Sequence, residues 1–223
     1  MTKTCILILF LSVSSIIFSQ DLPLGYIVHF QEEFSKSSYS KNIILSADTI
    51  GNTESGWFYL SDKNDAAGLA FPGSTLLIDN HVFGEYIASL KINPKNNPED
   101  TASAFYIILG LRDSSNYYFV EMNAKCSRFG SVYKGQRTIL QTDSGLYCEN
   151  NKPITLRITR DILNRSITIQ KNGNTISFTD PNLVMGYFGI GVENGVLAID
   201  SFIIWAPTSI AKPAPVFKGI NQN

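Results

Sequence analysis

The sequence reads as an all-β chain, an antiparallel β-sandwich of the jelly-roll kind. Past Gly84 it runs as short segments rich in β-branched and aromatic residues, in which apolar and polar positions alternate. The breaks between segments are Gly, Asn, Asp or Pro, and two of them, Asn172-Gly173 and Asn194-Gly195, are the pair that tolerates the positive φ of a two-residue hairpin turn. No stretch repeats with the period of a helix. Successive hairpins at spacings near ten residues argue for antiparallel sheets and against βαβ units.

Taken in order, the alternation predicts strands near Glu85 to Ile92, Ala104 to Arg112, Tyr117 to Ala124, Gly130 to Tyr133 and Thr138 to Thr142. It continues with Ile154 to Thr159, Ser166 to Lys171, Thr175 to Phe178, Phe188 to Glu193 and Val196 to Trp205. Between Gln31 and Leu77 the pattern is weaker, with strand-like runs at Trp57 to Leu60, Leu69 to Phe71 and Leu76 to Ile78. Pro207 to Asn223 carries no period and is expected as an extended or disordered tail.

Residues 1–19 form a separate unit: a short start with one Lys, then an apolar run from Ile6 to Phe18 of about thirteen residues, ending at Ser19-Gln20. That is the pattern of a secretory signal peptide, too short for the roughly twenty residues of a spanning helix. Cleavage is expected after Ser19, with Gln20 the alternative last residue removed. Cys5 opens the apolar run and so does not stand where a lipid-bearing cysteine would. A secreted or periplasmic sandwich domain over residues 20–206 is therefore expected, with no transmembrane segment after cleavage. About two hundred residues bury roughly 70% of their unfolded surface, enough for a core that needs no staples. Of the remaining cysteines, Cys126 and Cys148 are expected as one disulfide closing a loop of about twenty residues, two reduced thiols being the alternative. Eighteen basic residues against nineteen acidic ones, without a run of like charge, speak against nucleic acid as a partner.

Because side chains two apart share one side of a sheet, alternation also assigns faces. Phe105, Ile107, Leu109 and Leu111 read inward in one strand, Tyr118, Val120 and Met122 in the next, and Ile154, Leu156 and Ile158 in a third. Tyr106, Arg112, Tyr117, Phe119, Glu121 and Arg157 are left pointing outward, a face aromatic and charged enough to nominate as a binding surface. Sugar rings offer C–H faces that stack on aromatic rings, and their hydroxyls bond to Arg and Glu. Trp57 is a further candidate platform. The alternative for Tyr117 and Phe119 is to fill the sheet's concave side or to lie under a loop.

Three stretches carry a resemblance: the opening Phe30-Gln31-Glu32-Glu33-Phe34-Ser35, the middle Arg112-Asp113-Ser114-Ser115-Asn116-Tyr117-Tyr118, and an ending that runs from Leu156-Arg157-Ile158 through Asn172-Gly173 and Gly186-Tyr187-Phe188-Gly189-Ile190-Gly191 to Ala198-Ile199-Asp200-Ser201-Phe202. Together they resemble the concanavalin A-like lectin/glucanase superfamily, in its laminin G-like and 3-keto-disaccharide-hydrolase-like branches. The resemblance spans roughly Phe30 to Trp205 and implies a jelly-roll fold more specifically than an activity. The Glu-x-Asp-x-(x)-Glu strand of the superfamily's retaining glucanases, which sets two carboxylates about 5 Å apart, has no counterpart here. The Asn-Ser-Gly turn of the hydrolase branch is missing too.

No catalytic set is legible. The only two histidines, His29 and His81, stand far apart in sequence, His81 in an expected turn and His29 in an expected strand. Asp200 with Glu33 supplies two of the six or more oxygens that Ca²⁺ needs, so Asp200 is read as capping a strand end or accepting backbone N–H bonds, a structural Ca²⁺ being the alternative, and no cofactor is expected. Asp48-Thr49-Ile50 and Asp100-Thr101-Ala102 match a short O-glycosylation pattern and mark surface loops. The reading that emerges is an exported, lectin-like module engaging a glycan or a cell-envelope polysaccharide, without catalytic residues. The alternatives are a glycoside-active enzyme using Glu121, Arg112 and Glu85 in one groove, and a structural or adhesion partner in an envelope complex.

Overall fold

A computed structural model of the chain describes residues 22–33, 43–46, 57–60, 74–78, 81–94, 104–113, 115–149, 152–179, 182, 185–193, 196–207 and 212–213. The expected signal peptide, the run at Leu69 to Phe71 and the Asn194-Gly195 turn lie outside these residues. The described strands are β1 (Tyr26–Glu33), β2 (Ile43–Ser46), β3 (Trp57–Leu60), β4 (Ser74–Ile78), β5 (His81–Val82), β6 (Tyr86–Pro94), β7 (Ala104–Asp113) and β8 (Asn116–Met122). They continue as β9 (Ser127–Tyr133), β10 (Gln136–Asp143), β11 (Ile154–Asp161), β12 (Ser166–Lys171), β13 (Asn174–Thr179), β14 (Tyr187–Glu193), β15 (Val196–Pro207) and β16 (Lys212–Pro213).

Two seven-stranded antiparallel sheets result. The first runs β1-β15-β6-β11-β12-β13, with β2 also on β15, and the second runs β10-β9-β8-β7-β14-β4-β3. Within the segment expected as a tail, Lys212 and Pro213 pair with Val82 and His81. Two hairpins carry the backbone their turns demand: Lys134 and Gly135 join β9 to β10 at φ 52° and 79°, and Asn172 and Gly173 join β12 to β13 at 49° and 85°.

The facing sides of the two sheets make the main core. Phe105, Ile107, Leu109, Tyr118, Val120, Met122, Ile154, Leu156 and Ile158 all lie in it, as alternation requires. Leu111 does not. At Gly110 the φ is +61°, and the β7–β14 register shifts by one residue between Ile108 and Leu111, which turns Leu111 to the other side of the sheet. Gly186 sits against this kink, a Cβ there falling 2.3 Å from the Gly110 carbonyl carbon. A second bulge in β15, between Ile199 and Ser201, carries Asp200.

The expected disulfide is corrected: Cys126 and Cys148 are free thiols. Cys148 is buried in the main core, whereas Cys126 stands partly exposed in the β8–β9 turn. What connects them is main chain, since Asn123 donates to the Cys126 carbonyl at 3.1 Å and accepts from the Cys148 amide at 2.9 Å. Burial pushes the Cys148 thiol up to about 12, with Lys171 pulling the other way, so it stays protonated and unreactive near neutral pH.

Candidate functional site

The outward residues of the sequence reading divide between the two sheets. Tyr106 on β7, with Tyr117, Phe119 and Glu121 on β8, shares the outer face of the second sheet, whereas Arg157 is on β11 in the first sheet. One continuous face holding all of them is thus corrected, because alternation fixes the side of a strand and not the sheet to which it belongs. Arg112, beyond the bulge, is exposed at the end of β7 and donates from Nε to the Met185 carbonyl at 3.3 Å. Trp57 begins edge strand β3 opposite Ile78, and its side chain lies outside the described residues.

The open aromatic platform is corrected as well. Tyr106, Tyr117 and Phe119 are only 3%, 2% and 2% exposed. They pack with Leu77, Ile108, Leu111 and Val132 into a second apolar cluster on the far side of the sheet from the core. Ring centroids lie 6.5 Å apart for Tyr106–Phe119 and 6.4 Å for Tyr117–Phe119, both tilted. Phe119 lies over Gly130, its cross-strand partner on β9, and the Arg137 guanidinium sits 4.5 Å from its ring centroid. Burial raises the Tyr117 hydroxyl to about 12, Arg137 lowering it in part.

What this face presents outward is charge organised on that layer. Glu121 Oε1 accepts from Arg128 at 3.1 Å and Oε2 from Arg137 at 3.0 Å. The Glu121 side chain is 8% exposed, against 48% for Arg128 and 54% for Arg137. A buried carboxylate thus anchors two half-exposed guanidiniums, leaving one net positive charge. Each guanidinium has five N–H donors, and the carboxylate has acceptor positions beyond the two in use. Such an array can donate to and accept from vicinal hydroxyls or hold an anion. Sequence reasoning missed both arginines. Their common partner Glu121 is seven and sixteen residues away along the chain, and only the β8–β9–β10 register brings them together.

The glycosidase constellation is not assembled. Glu85 accepts from the Tyr26 hydroxyl at 2.5 Å, on the first sheet's side of the molecule, while Glu121 faces out from the second sheet. The core therefore separates carboxylates that a retaining enzyme would hold roughly 5–5.5 Å apart. Asp200 pairs with Lys91 at 2.5 Å, and Glu33 stands opposite Ser201 with its side chain outside the described residues. Among the described residues, no three His, Cys, Asp or Glu side chains cluster as a metal set. His29 and His81, remote in sequence, are adjacent in space, their ring centroids 5.9 Å apart. Burial and then His29 lower the His81 pKa below its ordinary value.

The first sheet carries its own feature on its outer face. A cavity of about 260 Å³ is lined by Ser89, Thr155, Arg157, Gln170, Asn172, Gly173 and Thr175.

No protein-family model and no curated protein matches the sequence. Solved structures do match. The carbohydrate recognition domain of Emp47p aligns at 10% identity with a TM-score of 0.53, over 71% of this chain and 91% of that one. The carbohydrate-binding module CBM66 from Bacillus subtilis aligns at 15% identity with a TM-score of 0.45, over 67% and 91%. The galectin LEC-6 of Caenorhabditis elegans aligns at 17% with a TM-score of 0.46, over 69% and 99%. The Emp47p alignment, at so low an identity, speaks of architecture alone, and it agrees with the strand order above: the chain has an antiparallel two-sheet β-sandwich fold like that of the Emp47p carbohydrate recognition domain.

Proposed function

We propose that this chain is an exported glycan-binding module without catalytic activity, and that it engages sugar hydroxyls through Arg128 and Arg137 on the outer face of the second sheet. The observation that carries the reading is the buried Glu121 carboxylate holding two half-exposed guanidiniums, that of Arg137 over the ring of Phe119. Such a pair is fixed before a ligand arrives, so binding does not have to freeze two long side chains. The solved structures named above include a carbohydrate recognition domain of the same fold, which supports the reading at the level of architecture. Export follows from residues 1–19, and a glycan of the cell envelope or its surroundings is the partner such an address supplies.

A glycan array probed with the secreted chain tests this directly. Binding to a defined subset of glycans is expected, falling at least tenfold in Glu121→Gln and in Arg137→Ala while the thermal midpoint stays within a few degrees. Arg128→Ala should weaken the same glycans. Retention of full binding by all three variants would refute the assignment of this face. Mass spectrometry of the secreted product should find Gln20 or Asp21 as its first residue; an intact Met1 would refute export by signal cleavage.

A further inference from the structure

The cavity on the first sheet is built differently from the face just described. Ser89 on β6, Arg157 on β11, Gln170 on β12 and Thr175 on β13 are successive cross-strand partners, one side chain from each of four neighbouring strands in a single row. At strand spacings of about 4.8 Å the row extends about 14 Å. Thr155, two residues before Arg157 on the same side of β11, and the left-handed Asn172-Gly173 turn complete the lining. Leu90, Leu156, Ile158, Ile169 and Ile176, which alternate with these residues, are buried in the main core, so the floor of the cavity is rigid.

The lining is chemically selective. It offers hydroxyls and carboxamides, which both donate and accept, and Arg157 as its one charged side chain among the described residues. Lys91, opposite Thr155, and Asp200 pair with each other at 2.5 Å. Arg157 has contacts of its own, and a guanidinium with five donors can keep those and still bond a ligand. A planar guanidinium fits a carboxylate in a two-pronged geometry that a lone amide cannot reproduce. The volume, about 260 Å³, lies just under the roughly 300–1,000 Å³ of drug-sized sites and suits a ligand about one ring wide.

We propose that this cavity is a second binding site, on the opposite face of the sandwich from Glu121, and that it takes a carboxylate-bearing sugar, a uronate residue of an acidic polysaccharide. Arg157 holds the carboxylate, and Ser89, Gln170 and Thr175 bond the ring hydroxyls. The site is independent of the Arg128–Glu121–Arg137 array, so the chain can bridge two polysaccharide strands.

The test is calorimetric titration of the full secreted chain with trigalacturonate and, separately, with the same trisaccharide after reduction of its carboxyl groups. Trigalacturonate is expected to bind at least tenfold more tightly than its reduced form. Arg157→Gln should abolish that preference, while Glu121→Gln leaves it intact. Thr175→Trp, which fills the cavity from an exposed strand position, should weaken trigalacturonate tenfold or more and serves should Arg157→Gln fold poorly. The amide resonances of Ser89, Gln170 and Thr175 should shift on titration. Equal affinity for the two trisaccharides, no binding of trigalacturonate, or binding unchanged in both Arg157→Gln and Thr175→Trp would each overturn the proposal. Loss of binding in Glu121→Gln alone would overturn it too, by placing the acidic sugar on the other face.

Discussion

Phe119 occupies the space that a side chain at position 130 would need. A Cβ built on Gly130 would fall 2.3 Å from Cζ of Phe119 and 2.6 Å from the carbonyl oxygen of Thr138. The ring could swing away, but the carbonyl belongs to the β9–β10 ladder and could not. Gly130→Ala is therefore expected to destabilise the fold by about 1–3 kcal/mol, as overpacking of a buried site does. It should also displace Phe119 from beneath Arg137 and so weaken the glycan binding proposed for Arg128 and Arg137. Denaturant unfolding together with the glycan array checks both consequences; a variant with wild-type stability and binding would show that the ring does not set this surface. Lys171, also buried, meets its charge requirement through the Tyr147 carbonyl and the Tyr147 ring, 4.7 Å from its Nζ.

Between elements, what matters is where two backbones approach and where a turn needs a left-handed residue, and the two cases predict different costs. At Gly186 a Cβ would collide with the Gly110 carbonyl carbon and oxygen and the Leu111 nitrogen, all main-chain atoms. At Gly173 nothing lies within 4 Å, and only the φ of +85° resists a side chain. Gly173→Ala should cost about 1–2 kcal/mol, the usual penalty for a left-handed non-glycine residue, and Gly186→Ala clearly more; comparing the two unfolding midpoints decides it. The same contacts explain what could be read in advance. Alternation located the inward residues of β7, β8 and β11 because it depends on a strand's own sequence. It failed at Leu111, where the extra residue at Gly110 lies against Gly186, more than seventy positions away along the chain. It also merged Arg157 with Tyr117, because which sheet a strand joins is decided by pairing between distant segments. The Asn-Gly turn at 172–173 was legible because a positive φ needs particular residues, whereas Lys134 adopts φ 52° with no such sign in its side chain. The Arg128–Glu121–Arg137 array and the Ser89–Arg157–Gln170–Thr175 row were hidden for the same reason as the sheet assignment. Both are products of register, which no local window contains.

At the scale of the molecule, the sandwich buries titrating groups in both of its apolar layers in their neutral forms, which fixes how its stability responds to alkali. Burial raises Tyr86 well above its ordinary value despite the charge of Arg160, raises Tyr117 from 10.0 to about 12, and raises Cys148 from 9.0 to about 12. A group whose pKa is higher in the folded chain than in the unfolded one holds its proton longer when folded. Its contribution is thus complete below the unfolded pKa and is lost as pH rises through the folded one. Stability should accordingly be flat up to about pH 9 and fall between about pH 9 and 12, Tyr117 alone accounting for on the order of 2–3 kcal/mol at the end of that window. Urea unfolding at intervals from pH 7 to 11.5 measures the slope, and Tyr117→Phe and Tyr86→Phe assign it, each removing its own share of the alkaline loss. The two differ at neutral pH. The Tyr86 hydroxyl is buried with no hydrogen-bond partner among the described residues, so Tyr86→Phe should leave stability at pH 7 unchanged or raise it. Tyr117 makes further contacts in the second layer, so Tyr117→Phe should lower stability modestly at pH 7. A wild-type slope in both variants would mean that these two layers open well below pH 12 for some other reason and would remove burial as the cause.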